Sequence, residues 1–147
     1  MKTIVEQLNE VYFREEYWQS HNETPAGITN YHQIMLDKGN ILCYVENGIL
    51  LGYVEVWFIN FEQFGRIICH EPFIAPLENV TDGNIAYLAN TWIKPEYRNN
   101  SVYRKLKVRF FEISHHCEYF VGEALRKHTQ PIKVFKKADL AGRLYKE

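Results

Sequence analysis

The order of residues from Asn84 to Leu106, NIAYLANTWIKPEYRNNSVYRKL, suggests chemistry more directly than any other stretch of the chain. An apolar run meets a Lys94-Pro95-Glu96-Tyr97-Arg98 turn. A short polar stretch, Asn99-Asn100-Ser101, then opens a segment carrying Arg104, Lys105, Lys107 and Arg109. A helix that starts there leaves its first backbone N–H groups unpaired. With cations beside them, such groups bind anions, phosphates above all. The charge distribution points the same way. Residues 1–93 hold 4 Lys and Arg against 12 Asp and Glu, a balance of −8. Residues 94–147 hold 13 against 6, a balance of +7. The net charge of −1 therefore hides a basic C-terminal part suited to a phosphorylated cofactor or a nucleic acid. Solvated lysines on helix faces would give the same count.

Other chemistries find less support. His115-His116-Cys117 contains metal-ligand types, but adjacent residues at a helix end point in different directions. No second pair has zinc-site spacing, so no metal site is expected. No Ser-His-Asp set, P-loop or dinucleotide fingerprint is recognisable. Three widely spaced cysteines, Cys43, Cys69 and Cys117, fit a reduced cytoplasmic protein better than a disulfide framework. The N-terminus carries acids where a signal peptide needs an apolar core. No apolar run approaches the roughly 18 residues of a membrane span.

The elements that position these residues follow from hydrophobic periodicity. The 147 residues, 46% of them hydrophobic, suit a single domain, 1–147, with a sizeable core. Ile4, Leu8, Val11, Tyr12 and Trp18 recur at helical spacing and predict a helix over 3–20. His21 to Gly27 breaks it, and a short second helix over 31–36 ends at Lys38-Gly39. In ILCYVENGILLGYVEVWFIN, two β-rich runs flank Asn47-Gly48, a strong hairpin signal. The second run, Gly52 to Ile59, is apolar on both faces and reads as an interior strand. Residues 60–83 give no clear pattern and suit a substrate-facing loop or a short irregular helix. A strand over 84–93, a helix over 101–116 and a strand over 117–124 follow. Pro131 suits the first turn of a last helix through Lys137, and Gly142 to Lys146 suits a closing strand. This order describes an α/β protein, a mixed sheet with helices packed on it.

The order, together with these motifs, resembles the GNAT superfamily of N-acetyltransferases over roughly the whole chain. Tyr44-Val-Glu-Asn-Gly-Ile-Leu-Leu-Gly-Tyr-Val54 is similar to the family's second and third strands. Asn90-Thr-Trp-Ile-Lys-Pro-Glu-Tyr-Arg98 resembles its fourth strand and the V-x-P-x-x-R exit. The resemblance implies a mixed, mostly antiparallel sheet flanked by helices (an α+β arrangement). It implies acetyl-CoA as co-substrate, with the pantetheine arm pairing with the backbone of Asn90, Thr91, Trp92 and Ile93. The pyrophosphate would lie over Arg98, Asn99, Asn100, Ser101, Val102, Tyr103 and Arg104. In the family's Arg/Gln-x-x-Gly-x-Gly/Ala loop, Ser101 stands at the first glycine and Tyr103 at the second small residue. Val134-Phe-Lys-Lys-Ala-Asp-Leu140 resembles the F-Y-x-K-x-G-F segment, with Phe135 where a tyrosine often protonates the departing thiolate.

Acetyl transfer to an amine needs a neutral amine in reach of the thioester and a group that removes its proton. Glu55 and Glu123 are the candidate bases, and Tyr119 is a candidate replacement for the missing acid. The expected activity is an acyl-CoA-dependent N-acyltransferase. Its acceptor would be an amine-bearing small molecule, protein or nucleic acid; a homodimer is also compatible, and no membrane partner is expected. The substituted glycines and Phe135 equally fit a non-catalytic GNAT-fold binding protein. The basic half fits a nucleic-acid-directed member of the same fold.

Overall fold

Thr3 and Glu6 start the first helix. The Thr3 hydroxyl accepts from the Glu6 N–H at 3.1 Å, and the Glu6 carboxylate reaches back to the Thr3 N–H, a capping box. The computed structural model describes residues 1–14, 24–68, 82–98, 101–122 and 133–136. Within them α1 spans Ile4–Arg14 and α2 spans Pro25–Asp37. The second helix begins six residues earlier than its periodicity suggests. Thr24 caps it by accepting from the Gly27 N–H at 3.0 Å, and Pro25 occupies the first turn. The proline and glycine that look like a breaker are thus a helix start.

The end of α2 fixes its position on the sheet. Gly39, at φ +78°, allows the Gly39 N–H to reach Leu36 O and the Asn40 N–H to reach Met35 O, at 3.0 and 2.9 Å. This is a Schellman turn. Asn40 is buried and locked to the middle of the sheet: its carbonyl accepts from the Val56 N–H and its side-chain amide donates to Val56 O.

Strands β1 (Ile41–Glu46) and β2 (Ile49–Ile59) form the hairpin, with Asn47 and Gly48 both at positive φ in a two-residue turn. A helix, α3 (Phe61–Ile68), follows where the sequence shows no clear pattern. Asn60 and Gln63 cap it reciprocally, each side-chain oxygen accepting from the other's N–H at 2.8 Å. Then come β3 (Ile85–Ile93), a 3-10 turn (Pro95–Tyr97), α4 (Val102–Ile113), β4 (Tyr119–Gly122) and β5 (Lys133–Lys136). The sheet runs in sequence order from β1 to β5; β3 and β4 are parallel and all other neighbours antiparallel. The mixed, mostly antiparallel sheet of the sequence reading is therefore present.

The segment 133–136 corrects one expectation. It is a strand paired with β4, Phe135 opposite Phe120, and not part of a helix. Lys-Val-Phe-Lys places two strand formers between polar ends, and the apolar edge of β4 supplies the partner. The expected closing strand at 142–146 lies outside the described residues.

Two cores sandwich the sheet. Leu8, Val11, Ile28 and Met35 of the first two helices pack against Tyr53, Ile59, Ile85 and Trp92. On the other face Val102, Leu106 and Phe110 of α4 pack against Leu42, Val54, Val56 and Ala86. Gly52 allows α4 to come close: a Cβ there would stand 3.1 Å from a Val102 methyl and from Trp92 O.

Candidate active site

Among the described residues the parallel ladder between β3 and β4 runs from Ile85–Tyr119 to Leu88–Gly122. Strand β3 continues through Ala89 to Ile93. On its other side β3 stays paired with β2 throughout, but the register slips: Val56 faces Leu88 while Glu55 faces Asn90. Ala89 is the extra residue of a bulge. It resets the alternation, so that Asn90 and Trp92 face α1 and α2 as Tyr87 does.

At this bulge lies a buried carboxylate. Glu55 is only 2% exposed. One oxygen accepts from the Tyr31 hydroxyl and the other from the Asn90 side-chain amide. The Trp57 indole N–H donates to the Tyr31 oxygen at 2.9 Å and so orients it. Each member comes from a different constraint: Glu55 and Trp57 from alternation along β2, Asn90 from the bulge, Tyr31 from the placement of α2 by the Asn40 lock. Burial pushes the Glu55 pKa upward, and the hydrogen bonds from Tyr31 and Asn90 oppose that. The Tyr31 hydroxyl is held well above its ordinary pKa, chiefly by burial and then by the Glu55 charge. A carboxylate with an upshifted pKa, gripped by two donors, can take a proton nearer neutral pH than an exposed glutamate.

Beside it, the hydroxyl of Thr91 is buried and makes no hydrogen bond. It lies on β3 between Asn90 and Trp92.

Neither a protein-family model nor a curated protein matches the sequence. Solved structures do. A GNAT-like decarboxylase, GphF, in complex with isobutyryl-CoA aligns with 80% of this chain at a TM-score of 0.54 and 14% identity. This chain spans 60% of that protein's length. A predicted acetyltransferase with acetyl-CoA, from Clostridium acetobutylicum, aligns with 83% of this chain and 75% of its own, at a TM-score of 0.54 and 16% identity. The chain has the GNAT fold.

Within this GNAT fold the residues expected from the sequence separate. Asn90, Thr91, Trp92 and Ile93 occupy the extended part of β3, and of these Asn90 alone touches Glu55. Trp92 is buried beside the Tyr53 ring. Arg98 turns its Nε onto the Ile93 carbonyl at 3.0 Å, tying the turn to the strand end. Ser101 takes the N-cap position of α4, and the buried Val102 side chain packs beneath it. Tyr103 and Arg104 lie on the exposed side of the first turn. The Tyr103 ring sits under Lys107 at 5.8 Å and does not enter the core. Partial burial and then the Arg104 charge lower the Lys107 pKa, a sign that the cations crowd there. Asn99, Asn100 and Glu123 lie outside the described residues.

Tyr119 is not brought to Glu55. It stands level with Ile85 and Ile59, four residues along β2 from Glu55, about 13 Å at the usual strand rise. Its ring packs on Phe61. Sequence reasoning missed Tyr31 and Trp57. Trp57 carried a signal, since it shares a strand face with Glu55 by simple alternation. Tyr31 carried none, because its distance from Glu55 is set by the turn at Gly39.

Proposed function

We propose that this chain is an acyl-CoA-dependent N-acyltransferase of GNAT type, with acetyl-CoA as the donor to be tested first. The observation that carries the reading is the β3 bulge, which brings Asn90 onto a buried, doubly bonded carboxylate and leaves the Thr91 hydroxyl buried beside it. The extended backbone of Asn90 to Ile93 suits an amide-bearing arm such as pantetheine. The unpartnered Thr91 hydroxyl offers a further bond to a ligand lying there. The first turn of α4, with Arg104 and Lys107, suits the cofactor's phosphates. Two structures of similar fold are described with isobutyryl-CoA and acetyl-CoA, which supports the same ligand class here.

In this reading the acceptor amine attacks the thioester carbonyl, the C–S bond breaks, and the thiolate leaves. Glu55 takes the amine proton through the Tyr31 hydroxyl, whose oxygen already bridges Glu55 and Trp57. Glu123, next in sequence after the end of the β4 ladder, is the second base to test. The assay is release of free CoA thiol from acetyl-CoA across a panel of primary amines. Amine-dependent release that falls about a hundredfold in Glu55→Gln supports the assignment. Release unaffected by Glu55→Gln, but lost in Glu123→Gln, moves the base to Glu123.

A second reading, a GNAT-fold binding module without turnover, is favoured by one observation: both Glu55 oxygens are already engaged. It predicts CoA binding with no thiol release for any amine.

A further inference from the structure

A cavity of about 400 Å³ opens between the C-terminal half of α1, the hairpin and the end of β3. Trp92 and Leu50, both buried, form part of its apolar wall. Arg14, Lys94 and Glu96 line it with charge. Trp92 and Asn90 face the same side of β3 two residues apart, about 7 Å along the strand. The cavity therefore begins one pleat from the residue that holds Glu55.

The charges lining this cavity differ in how they are engaged. Glu10, also on its lining, is paired with Lys2. Gln7 is fully used by the hairpin, donating to Gly48 O at 2.9 Å and accepting from the Leu50 N–H at 2.8 Å. By contrast, among the described residues no carboxylate pairs with Arg14 or Lys94, and no cation pairs with Glu96. The Arg14 guanidinium is held 5.8 Å over the Trp92 ring, and the backbone from which Lys94 projects is fixed by its N–H to Leu51 O at 2.8 Å. Two cations and one carboxylate without ion-pair partners, around an apolar wall, form a receptor with both signs of charge.

We infer that this cavity binds a small amine that also carries a carboxylate or phosphate: the acid is held between Arg14 and Lys94, the ammonium by Glu96, and the body lies on Trp92. This names the acceptor class and rests on the acyltransferase reading above. A single anion would leave Glu96 unmatched, and a simple amine would leave both cations unmatched. Only a molecule with both groups satisfies the cavity's charges at once. Trp92 joins this cavity to Asn90, one pleat along β3, and through it to the Glu55 network.

The test is binding by the intact chain without CoA, read as the Trp92 indole N–H signal in NMR. The probes are L-phenylalanine and O-phosphoethanolamine, with phenylalaninamide and phenethylamine as analogues lacking the acid. Binding of either acid-bearing probe at millimolar concentration, with the acid-free analogues at least about tenfold weaker, is expected. Which of the two probes binds more tightly tells carboxylate from phosphate. Arg14→Gln and Lys94→Gln, changes at solvent-reaching side chains, should each weaken that binding about tenfold or more, with Arg14→Lys retaining part of it. Equal binding of acid-free analogues, or no shift with any probe, overturns the inference. Acetyl-CoA is titrated in the same samples. CoA binding without acid-bearing amines refutes the acceptor class alone. Amine binding without CoA refutes the acyltransferase reading and leaves the cavity assignment standing.

Discussion

His32 should make this protein lose stability under mildly acidic conditions. It is 4% exposed, on the buried side of α2, and its Nδ1 lies 2.7 Å from Asn9 Oδ1. The Asn9 amide nitrogen donates to the Thr29 hydroxyl, which in turn donates to Pro25 O. That chain fixes the Asn9 orientation, so its oxygen must accept from a protonated Nδ1. Charging His32 then requires a second proton on the other, buried nitrogen. Burial accordingly lowers the His32 pKa from 6.5 to about 4. The unfolded chain takes up the proton first, so the stability contributed by neutral His32 is fully present above pH 6.5 and is lost as pH falls towards 4. The difference between the two pKa values corresponds to about 3 kcal/mol at the lower end. Glu55 works in the opposite sense. Its raised pKa makes the folded state the better proton acceptor above 4.5, so acidification through that range favours folding at this one site. The comparison that isolates His32 is therefore between wild type and His32→Gln, by urea unfolding at a series of pH values. The wild-type free energy should fall more steeply than the variant's between pH 6.5 and 4, by about 2 to 3 kcal/mol in total. Parallel curves would refute the buried neutral imidazole.

Other perturbations test the packing and the site. A Cβ on Gly83 would stand 2.1 Å from the Ile59 carbonyl carbon, a backbone atom that cannot swing aside, so Gly83→Ala should cost about 3 kcal/mol or more in thermal or urea unfolding. Gly52→Ala meets its neighbours at 2.8 to 3.1 Å and should cost less, about 1 to 2 kcal/mol, by pushing Val102 and α4 off the sheet. Tyr31→Phe strips one donor from Glu55 and the acceptor from the Trp57 indole, for a loss of about 1 to 3 kcal/mol. It should also raise the Glu55 pKa further, moving the acidic limb of any pH–rate profile upward.

Those features also mark where the sequence is legible. Asn47-Gly48, the doubly apolar run of β2 and the Pro95 turn are local signals, and the structure has each close to its expected place. The helix α4 and the strand end at Ile93 follow from periodicity in the same way. What escaped was set by contacts distant in sequence. Thr24-Pro25 looks like a breaker until its hydroxyl is seen to cap α2. Lys133 to Lys136 is too short to declare its state without β4 beside it. The bulge at Ala89 leaves no mark in composition, yet it turns Asn90 towards Glu55. Glu55 itself was legible as a charge in an apolar strand, whereas its partner Tyr31 depended on the Gly39 turn and the Asn40 lock.

Calorimetric titration of the wild-type chain with acetyl-CoA, repeated with Thr91→Val and Arg104→Gln, tests the central claim that the C-terminal part of β3 and the first turn of α4 form an acyl-CoA site. The account predicts saturable binding by the wild type, weakened by each substitution. No heat of binding at millimolar acetyl-CoA, or binding indifferent to both substitutions, would contradict it.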